Sequence, residues 1–204
     1  FSTALDEIKL ALAAKPDMGA AYNMRGLVYA AMGEDLLAEE GFERAMSLNP
    51  RDADAMHNRA WFKCQRGQYD DADRLFEQAI ATPQYRDLAR SLMAQGICYA
   101  RAGRMVPAEQ KLLRAYEVDP TNPTTAYNLA DVLYRRSELE RARFYIRRVN
   151  DNEELSNAQT LWLAARIENK AGNRNAVEAF GRQLRARFPQ SPQAQAYDSG
   201  RFND

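Results

Sequence analysis

Hydrophobic residues recur along the chain with the spacing of amphipathic α-helices, and the predicted helices come in pairs. Residues 19–52, GAAYNMRGLVYAAMGEDLLAEEGFERAMSLNPRD, predict two such helices joined by a tight turn. Small residues stand where the two helices would touch: Gly26, Ala38 and Ala45. Aromatic residues fill the seam between them: Tyr22, Tyr29 and Phe42. Pro50 is expected to end the second helix, because proline lacks the N–H that another turn would need.

The same arrangement returns along the whole chain. The small residue at position 38 has equivalents at intervals of 34, 34, 36, 34 and 34 residues: Ala4, Ala38, Ala72, Ala108, Ala142 and Ala176. Such a period is the signature of a repeat protein in which each unit packs on its neighbours. The sequence therefore predicts an all-α fold, a right-handed superhelical solenoid of about six helix–turn–helix repeats.

We expect a single solenoid domain over residues 1–204. Its predicted repeats are a partial one at 1–18, then 19–52, 53–88, 89–122, 123–156 and 157–190, followed by a polar tail at 191–204 that predicts a short capping helix. Asp52, Asn122 and a capping box from Ser156 to Gln159 are the predicted helix starts. Because Phe1 is not Met and falls inside a repeat, we expect the natural chain to begin further upstream.

The residue types at these positions resemble those of the tetratricopeptide repeat. The fourth repeat gives a clear copy of that pattern: Gly96, Tyr99, Gly103, Ala108, Leu112, Ala115 and Pro120. Two positions depart from it, since Arg25 and Arg59 stand where the pattern usually has Leu or Ile. The small residue at the helix contact is present in every repeat, so the fold prediction is unaffected.

The sequence offers little chemistry for catalysis. It has one histidine, His57, and no CxxC, HExxH, GxSxG or glycine-rich phosphate loop. We therefore expect no enzymatic activity, no metal and no cofactor. No apolar run approaches the roughly 18–20 residues of a membrane span.

Charge is balanced overall, with 28 basic and 28 acidic residues. The first 100 residues hold 11 Lys/Arg against 15 Asp/Glu, and the rest hold 17 against 13. The basic excess centres on residues 135–148: Arg135, Arg136, Arg141, Arg143, Arg147 and Arg148. Such a cluster can contact phosphate or an acidic partner, or it can form a solvated outer face. The second reading is favoured, because a nucleic-acid-binding protein is usually basic overall.

A protein partner is the expected ligand, since the concave face of such a superhelix is lined by the first helix of each repeat. Counting positions along those helices predicts the groove residues Asn23, Leu27, His57, Asn58, Trp61, Met93, Ile97, Tyr127, Asn128, Asp131, Tyr134 and Trp162. Aromatic, apolar and amide side chains suit a bound peptide or helix, with Trp61 and Trp162 as anchors. The alternative is that some of them are inter-repeat core, and that His57 is an ordinary helix residue.

The two cysteines are Cys64 and Cys98, on the predicted first helices of neighbouring repeats. A disulfide requires Cα atoms within roughly 7 Å, which adjacent helices allow where small residues meet. A bridge would indicate an oxidising compartment such as the periplasm, whereas the alternative is a pair of buried thiols.

Several stretches resemble the PilF/PilW family of type IV pilus biogenesis lipoproteins. They include MRGLVYAAMGEDLLAEEGFERAMSLNP, HNRAWFKCQRGQYDDADRLFEQAI, NPTTAYNLADVLYRRSELERARFYI and WLAARIENKAGNRNAVEAFGRQLRARFPQS. The resemblance spans nearly the whole chain. The closing segment, which ends at Phe188 and Pro189, is its most distinctive part.

The resemblance implies a role and no reaction. Members of the family are pilotins, lipoproteins on the periplasmic face of the outer membrane that help the pilus secretin to assemble, so the secretin is the implied partner and the groove its binding surface. The lipid-bearing cysteine of the family is not among these residues. One alternative is a cytosolic scaffold or regulatory adapter that binds a soluble peptide, and another is the targeting segment of a larger enzyme.

Overall fold

Twelve α-helices make up the regular structure of residues 1–202, the part of the chain that the computed structural model describes. Their bounds are α1 Ser2–Ala14, α2 Gly19–Met32, α3 Asp35–Leu48, α4 Ala53–Gln65, α5 Tyr69–Ile80, α6 Leu88–Arg101, α7 Met105–Val118, α8 Pro123–Arg135, α9 Leu139–Asn150, α10 Ala158–Lys170, α11 Arg174–Arg187 and α12 Pro192–Asp198. No strand occurs within that range. The prediction of an all-α array of about six repeats is confirmed.

The helices fall into two compact units. Unit 1, residues Phe1–Ala102, contains α1–α6, and unit 2, from Gly103 onward, contains α7–α12. Within each unit, helices that follow one another in the repeat pack as antiparallel pairs, α2 with α3 and α4 with α5, then α8 with α9 and α10 with α11. The expectation of one domain over 1–204 stays a prediction, and the last two residues of the predicted tail lie outside the described residues.

Close contact at small residues holds each pair together. Ala38, Ala72, Ala108 and Ala142 have no exposed surface. The α2–α3 contact is close, because a Cβ at Gly41 would lie 2.7 Å from the Gly26 nitrogen. The fully buried aromatic ring of Phe42 then packs beside this contact. Equivalent large residues occupy the same place in the next repeats: Phe76, Leu112 and Ile146.

The turns and the helix caps lie where the sequence predicts them, except for the cap at the start of α10. Gly33, Gly67, Gly103 and Gly172 have positive φ at the turns between paired helices, and Ser137 takes this conformation in the fifth repeat, with φ 62°. Asp52 and Asn122 cap α4 and α8 as predicted. The predicted capping box at Ser156 is wrong by one residue. Asn157 caps α10, and the Thr160 hydroxyl accepts a hydrogen bond from the Asn157 N–H.

A polar network is buried in the core of unit 1. His57 is 4% exposed, and its Nδ1 lies 2.8 Å from the Ser91 hydroxyl, which in turn lies 3.0 Å from the Tyr85 hydroxyl. The imidazole also packs edge-on against Phe76. Burial lowers the pKa of His57 to about 4, and the positive charge of Arg90 acts in the same direction. The histidine is therefore neutral in the folded protein at neutral pH.

A disulfide joins α4 to α6. The Cα atoms of Cys64 and Cys98 are 5.8 Å apart, within the range that a disulfide needs. Both residues are buried in the cluster formed by Ala60, Phe76 and Ala94. The bond therefore links the first helices of two consecutive repeats.

Removing this disulfide is expected to destabilise unit 1. Cys64 and Cys98 are separated by 34 residues, and a crosslink over such a loop stabilises by about 4 kcal/mol through restriction of the unfolded chain. Denaturant unfolding of Cys64→Ala/Cys98→Ala should show a loss of that order. Reductant should destabilise the parent protein and leave the double variant unchanged. A loss below about 1 kcal/mol would contradict the expected contribution.

Acidification is expected to destabilise the fold through His57. The pKa of this residue is about 4 in the folded protein, against 6.5 for an unperturbed histidine, so the unfolded chain binds a proton first as pH falls. Stability should decline from about pH 6.5 to pH 4, by roughly 2–3 kcal/mol. Urea titrations of the parent and His57→Gln measure this. Between pH 6.5 and pH 4, the free energy of unfolding of the variant should depend less on pH than that of the parent. Identical pH dependence in the two proteins would show that His57 is not the cause of the decline.

Candidate functional site

The first helices of consecutive repeats lie side by side within each unit. In unit 1, α4 packs beside both α2 and α6, and in unit 2, α8 packs beside α10. We call these two surfaces the first-helix faces of unit 1 and unit 2. The predicted groove residues all lie on these five helices.

Most of the predicted groove residues are only partly covered, as residues that line a groove should be. The half-buried ones are Asn23, Leu27, Asn58, Trp61, Met93, Ile97, Tyr127, Asn128, Asp131 and Trp162. The helical register therefore placed them on an accessible side of their helices. Whether they contact a partner stays a prediction.

Two predicted groove residues require correction. His57 belongs to the core of unit 1, since its ring is covered by Phe76 and bonded to Ser91. Tyr134 is 8% exposed, because the Arg166 guanidinium and the Lys170 ammonium lie 4.9 Å and 5.0 Å from its ring centroid. Neither side chain offers a free contact surface, and Tyr134 serves instead as support for the cations above it.

A row of polar side chains crosses the three first helices of unit 1. Asn58 Nδ2 donates to Asn23 Oδ1 over 3.2 Å, and Arg90 Nη2 donates to Asn58 Oδ1 over 3.1 Å. Each amide has two N–H donors and two acceptor lone pairs, so these bonds use only part of its capacity. The row can therefore still bind the N–H and C=O groups of an extended peptide.

Trp61 lies on the same face and is engaged by a cation. The Arg101 guanidinium stands 4.9 Å from the centroid of its ring. Trp61 also packs against the core cluster that contains Ala60 and Cys64. An incoming side chain would have to share the indole with Arg101 or move that arginine aside.

On the first-helix face of unit 2, the carboxylate of Asp131 lies near the guanidinium groups of Arg135 and Arg166. Arg135 Nη2 lies 2.8 Å from Asp131 Oδ2. Burial raises the pKa of Asp131, and the charges of Arg135 and Arg166 oppose that rise. Burial likewise raises the pKa of the Tyr127 hydroxyl. Asn128 is occupied locally, since its Nδ2 donates to the Thr124 carbonyl over 2.8 Å.

Trp162, the second predicted anchor, is covered from within the chain. The ring of Phe202 lies 5.1 Å from it, centroid to centroid, with 32° between the planes. The Arg166 Nε donates to the Phe202 carbonyl over 3.0 Å. Neither Arg166 nor Phe202 was among the predicted site residues. Arg166 stands one helical turn after Trp162, which is the only sequence signal that pointed to it.

The arginine-rich stretch 135–148 is largely paired within unit 2. Arg136 and Arg141 both contact Glu109 and Glu138. Arg143 pairs with Glu140 and, through two bonds of 2.6 Å and 2.9 Å, with the buried Glu168. Hydrogen bonds to Glu168 raise the pKa of Arg143. These charges are used to hold α7, α9 and α10, which favours the interpretation as a structural face over that of a phosphate site.

Residues 1–202 contain neither a metal-binding cluster nor a helix suited to span a membrane. No group of His, Cys, Asp and Glu side chains there is arranged to hold a metal ion. Among the same residues, none of the helices combines the length and the apolar character that crossing a bilayer requires.

Comparison with known proteins agrees with the repeat architecture. Two family models described as tetratricopeptide repeat match residues 19–52 and 42–74. The type IV pilus assembly protein PilF of Pseudomonas aeruginosa is 22% identical over 192 residues, which are 94% of this chain and 76% of that protein. The sequence relationship thus extends along nearly the whole chain.

Solved structures give the same relationship. The crystal structure of PilW, described as a widely conserved type IV pilus biogenesis factor, superimposes with a TM-score of 0.88 at 28% identity and covers 96% of this chain and 89% of its own. The structure of Pseudomonas aeruginosa PilF gives a TM-score of 0.81 at 22% identity, over 95% of this chain and 86% of that chain. The chain is therefore a tetratricopeptide-repeat protein related to the type IV pilus biogenesis factors PilF and PilW.

Proposed function

We propose that the protein is a non-enzymatic adapter for type IV pilus assembly that binds the pilus secretin and promotes its assembly at the outer membrane. The observation that carries this proposal is the polar row of Asn23, Asn58 and Arg90 beside Trp61 on the first-helix face of unit 1. Its chemistry suits a protein segment. The relationship to PilF and PilW supplies the biological context.

The row recognises a peptide through its main chain. An extended segment presents alternating N–H and C=O groups, and a side-chain amide can pair with both kinds. One polar side chain from each first helix gives contacts along the segment, while the neighbouring Trp61 adds a large apolar surface. A small-molecule substrate would need convergent acid–base groups, and the buried His57 is not available as one.

The periplasmic face of the outer membrane is the proposed location. Disulfides persist in oxidising compartments and are rare in the bacterial cytosol, so the Cys64–Cys98 bond supports a place in the envelope. A cytosolic scaffold would normally keep both thiols reduced. Attachment through an N-terminal lipid is part of the proposal.

Substitutions in the row should weaken secretin binding. For Asn58→Ala/Arg90→Ala we expect a loss of about tenfold or more, since two of the polar side chains proposed to contact the bound segment are removed. Calorimetry with the secretin subunit from the same genome measures this. Arg182→Ala, at an exposed position of α11, removes a positive charge elsewhere and is the matched control. Equal affinities in all three proteins would exclude this face, and no binding by the parent would exclude the proposed function.

Intact mass of the full-length protein, isolated from its native cells without reductant, tests the location. We expect an acylated N-terminal cysteine and a mass two hydrogens below that of the dithiol form. Alkylation before and after reduction should label Cys64 and Cys98 only in the second case. An unacylated chain with both thiols free would place the protein in the cytosol, and the secretin would then be abandoned as the partner.

A further inference from the structure

Phe202 sits on the first-helix face of unit 2 at the place predicted for a partner's anchor. Its ring packs on Trp162 at 5.1 Å and against the edge of Tyr197 at 5.9 Å. Its main-chain carbonyl accepts the hydrogen bond from Arg166. An aromatic ring and a carbonyl are features that a peptide from another protein can supply equally well.

The surface beneath Phe202 is built by the repeats themselves. Trp162 packs on the buried cluster of Leu161, Leu184 and Ala194. The Arg166 guanidinium is oriented by the ring of Tyr134 on the neighbouring helix, 4.9 Å away. Both recognition groups are therefore also held by contacts that do not involve Phe202, Trp162 by the cluster from α10, α11 and α12, and Arg166 by α8.

Phe202 lies outside the helices, four residues after the end of α12. After α12 the chain reverses at Gly200, which has φ 66°. Hydrogen bonds from the Gly200 and Arg201 nitrogens to the Tyr197 and Ala196 carbonyls complete this reversal. Phe202 itself is only half-buried. Releasing it would break one hydrogen bond to Arg166 and its aromatic contacts, and would leave α12 in place.

Phe202 can leave Trp162 while α12 stays in place, because α12 has its own contacts with the unit. Ala194 is buried, and the ring of Tyr197 packs so closely on α11 that any side chain at Gly181 would overlap it. Arg185 of α11 also holds Asp198 through a hydrogen bond of 2.8 Å. The helix thus tethers Phe202 next to Trp162 while remaining fixed to the unit.

We propose that Trp162 and Arg166, whose guanidinium is supported by the ring of Tyr134, form a subsite for an aromatic residue of a partner peptide, and that Phe202 occupies this subsite in the unbound protein. The partner's aromatic ring replaces that of Phe202 on Trp162, and its main-chain carbonyl takes the hydrogen bond from Arg166. This deepens the proposed function, because it assigns an aromatic residue to the bound segment. A tethered side chain acts at an effective concentration of the order of millimolar, so Phe202 excludes weak ligands.

The test uses the full chain with a peptide of its own sequence. A Trp61→Phe background leaves Trp162 as the single tryptophan, and its fluorescence is followed during titration with acetylated, amidated Asp-Ser-Gly-Arg-Phe, the sequence of residues 198–202. We expect saturable binding to the Phe202→Ala variant and at least tenfold weaker binding to the protein that keeps Phe202. The same peptide with alanine in place of phenylalanine is the control and should not bind.

A second variant tests the contribution of Arg166 and shows whether a loss of binding is due to unfolding. Phe202→Ala/Arg166→Met keeps Trp162 but removes the donor to the carbonyl, because a methionine side chain has no N–H group. Binding should fall about tenfold relative to Phe202→Ala alone. Thermal unfolding of both variants establishes that α12 remains packed.

Three results would overturn the proposal. They are no saturable binding to a folded Phe202→Ala variant, equal binding whether or not Phe202 is present, and association of the parent into dimers that Phe202→Ala abolishes. The last would mean that Phe202 acts between two copies. The secretin takes no part in this measurement, so its outcome is independent of whether the secretin is the partner.

Discussion

The structure depends on helices that approach each other at residues with little or no side chain. Gly26 and Gly41 bring the backbones of α2 and α3 into contact, and the fully buried Ala38, Ala72 and Ala142 stand at the equivalent position of three helix pairs. A larger side chain at such a position would separate the helices and expose the ring or aliphatic residue packed beside it. Within each unit, the first helices lie side by side because this contact recurs at a nearly constant spacing.

The repeat count and the helix bounds were predictable, because they are local. Each contact alanine, each turn glycine and the capping residues Asp52 and Asn122 interact with residues of their own repeat. The start of α10 was displaced by one residue because Ser156 and Asn157 are both good capping residues. The choice between them depends on Thr160, whose hydroxyl pairs with the Asn157 N–H.

The sequence predicted where the candidate site residues lie, but not which side chains of the same chain already contact them. Helical register placed Asn58, Trp61 and Trp162 on the first-helix faces. It could not show that Arg101 stacks on Trp61 or that Phe202 covers Trp162, because those contacts join residues about 40 positions apart. His57 was misplaced for the same reason, since its burial depends on Phe76 and Ser91 in later helices.

The bond between Cys64 and Cys98 has a consequence for recognition as well as for folding. It fixes α4 against α6, the helices that carry Asn58 and Arg90, at the Cα separation of 5.8 Å. A peptide that binds across these helices meets groups whose spacing is already set, so less conformational entropy is lost when the complex forms. The redox state of one buried covalent bond would thus set how well the proposed binding surface is preorganised.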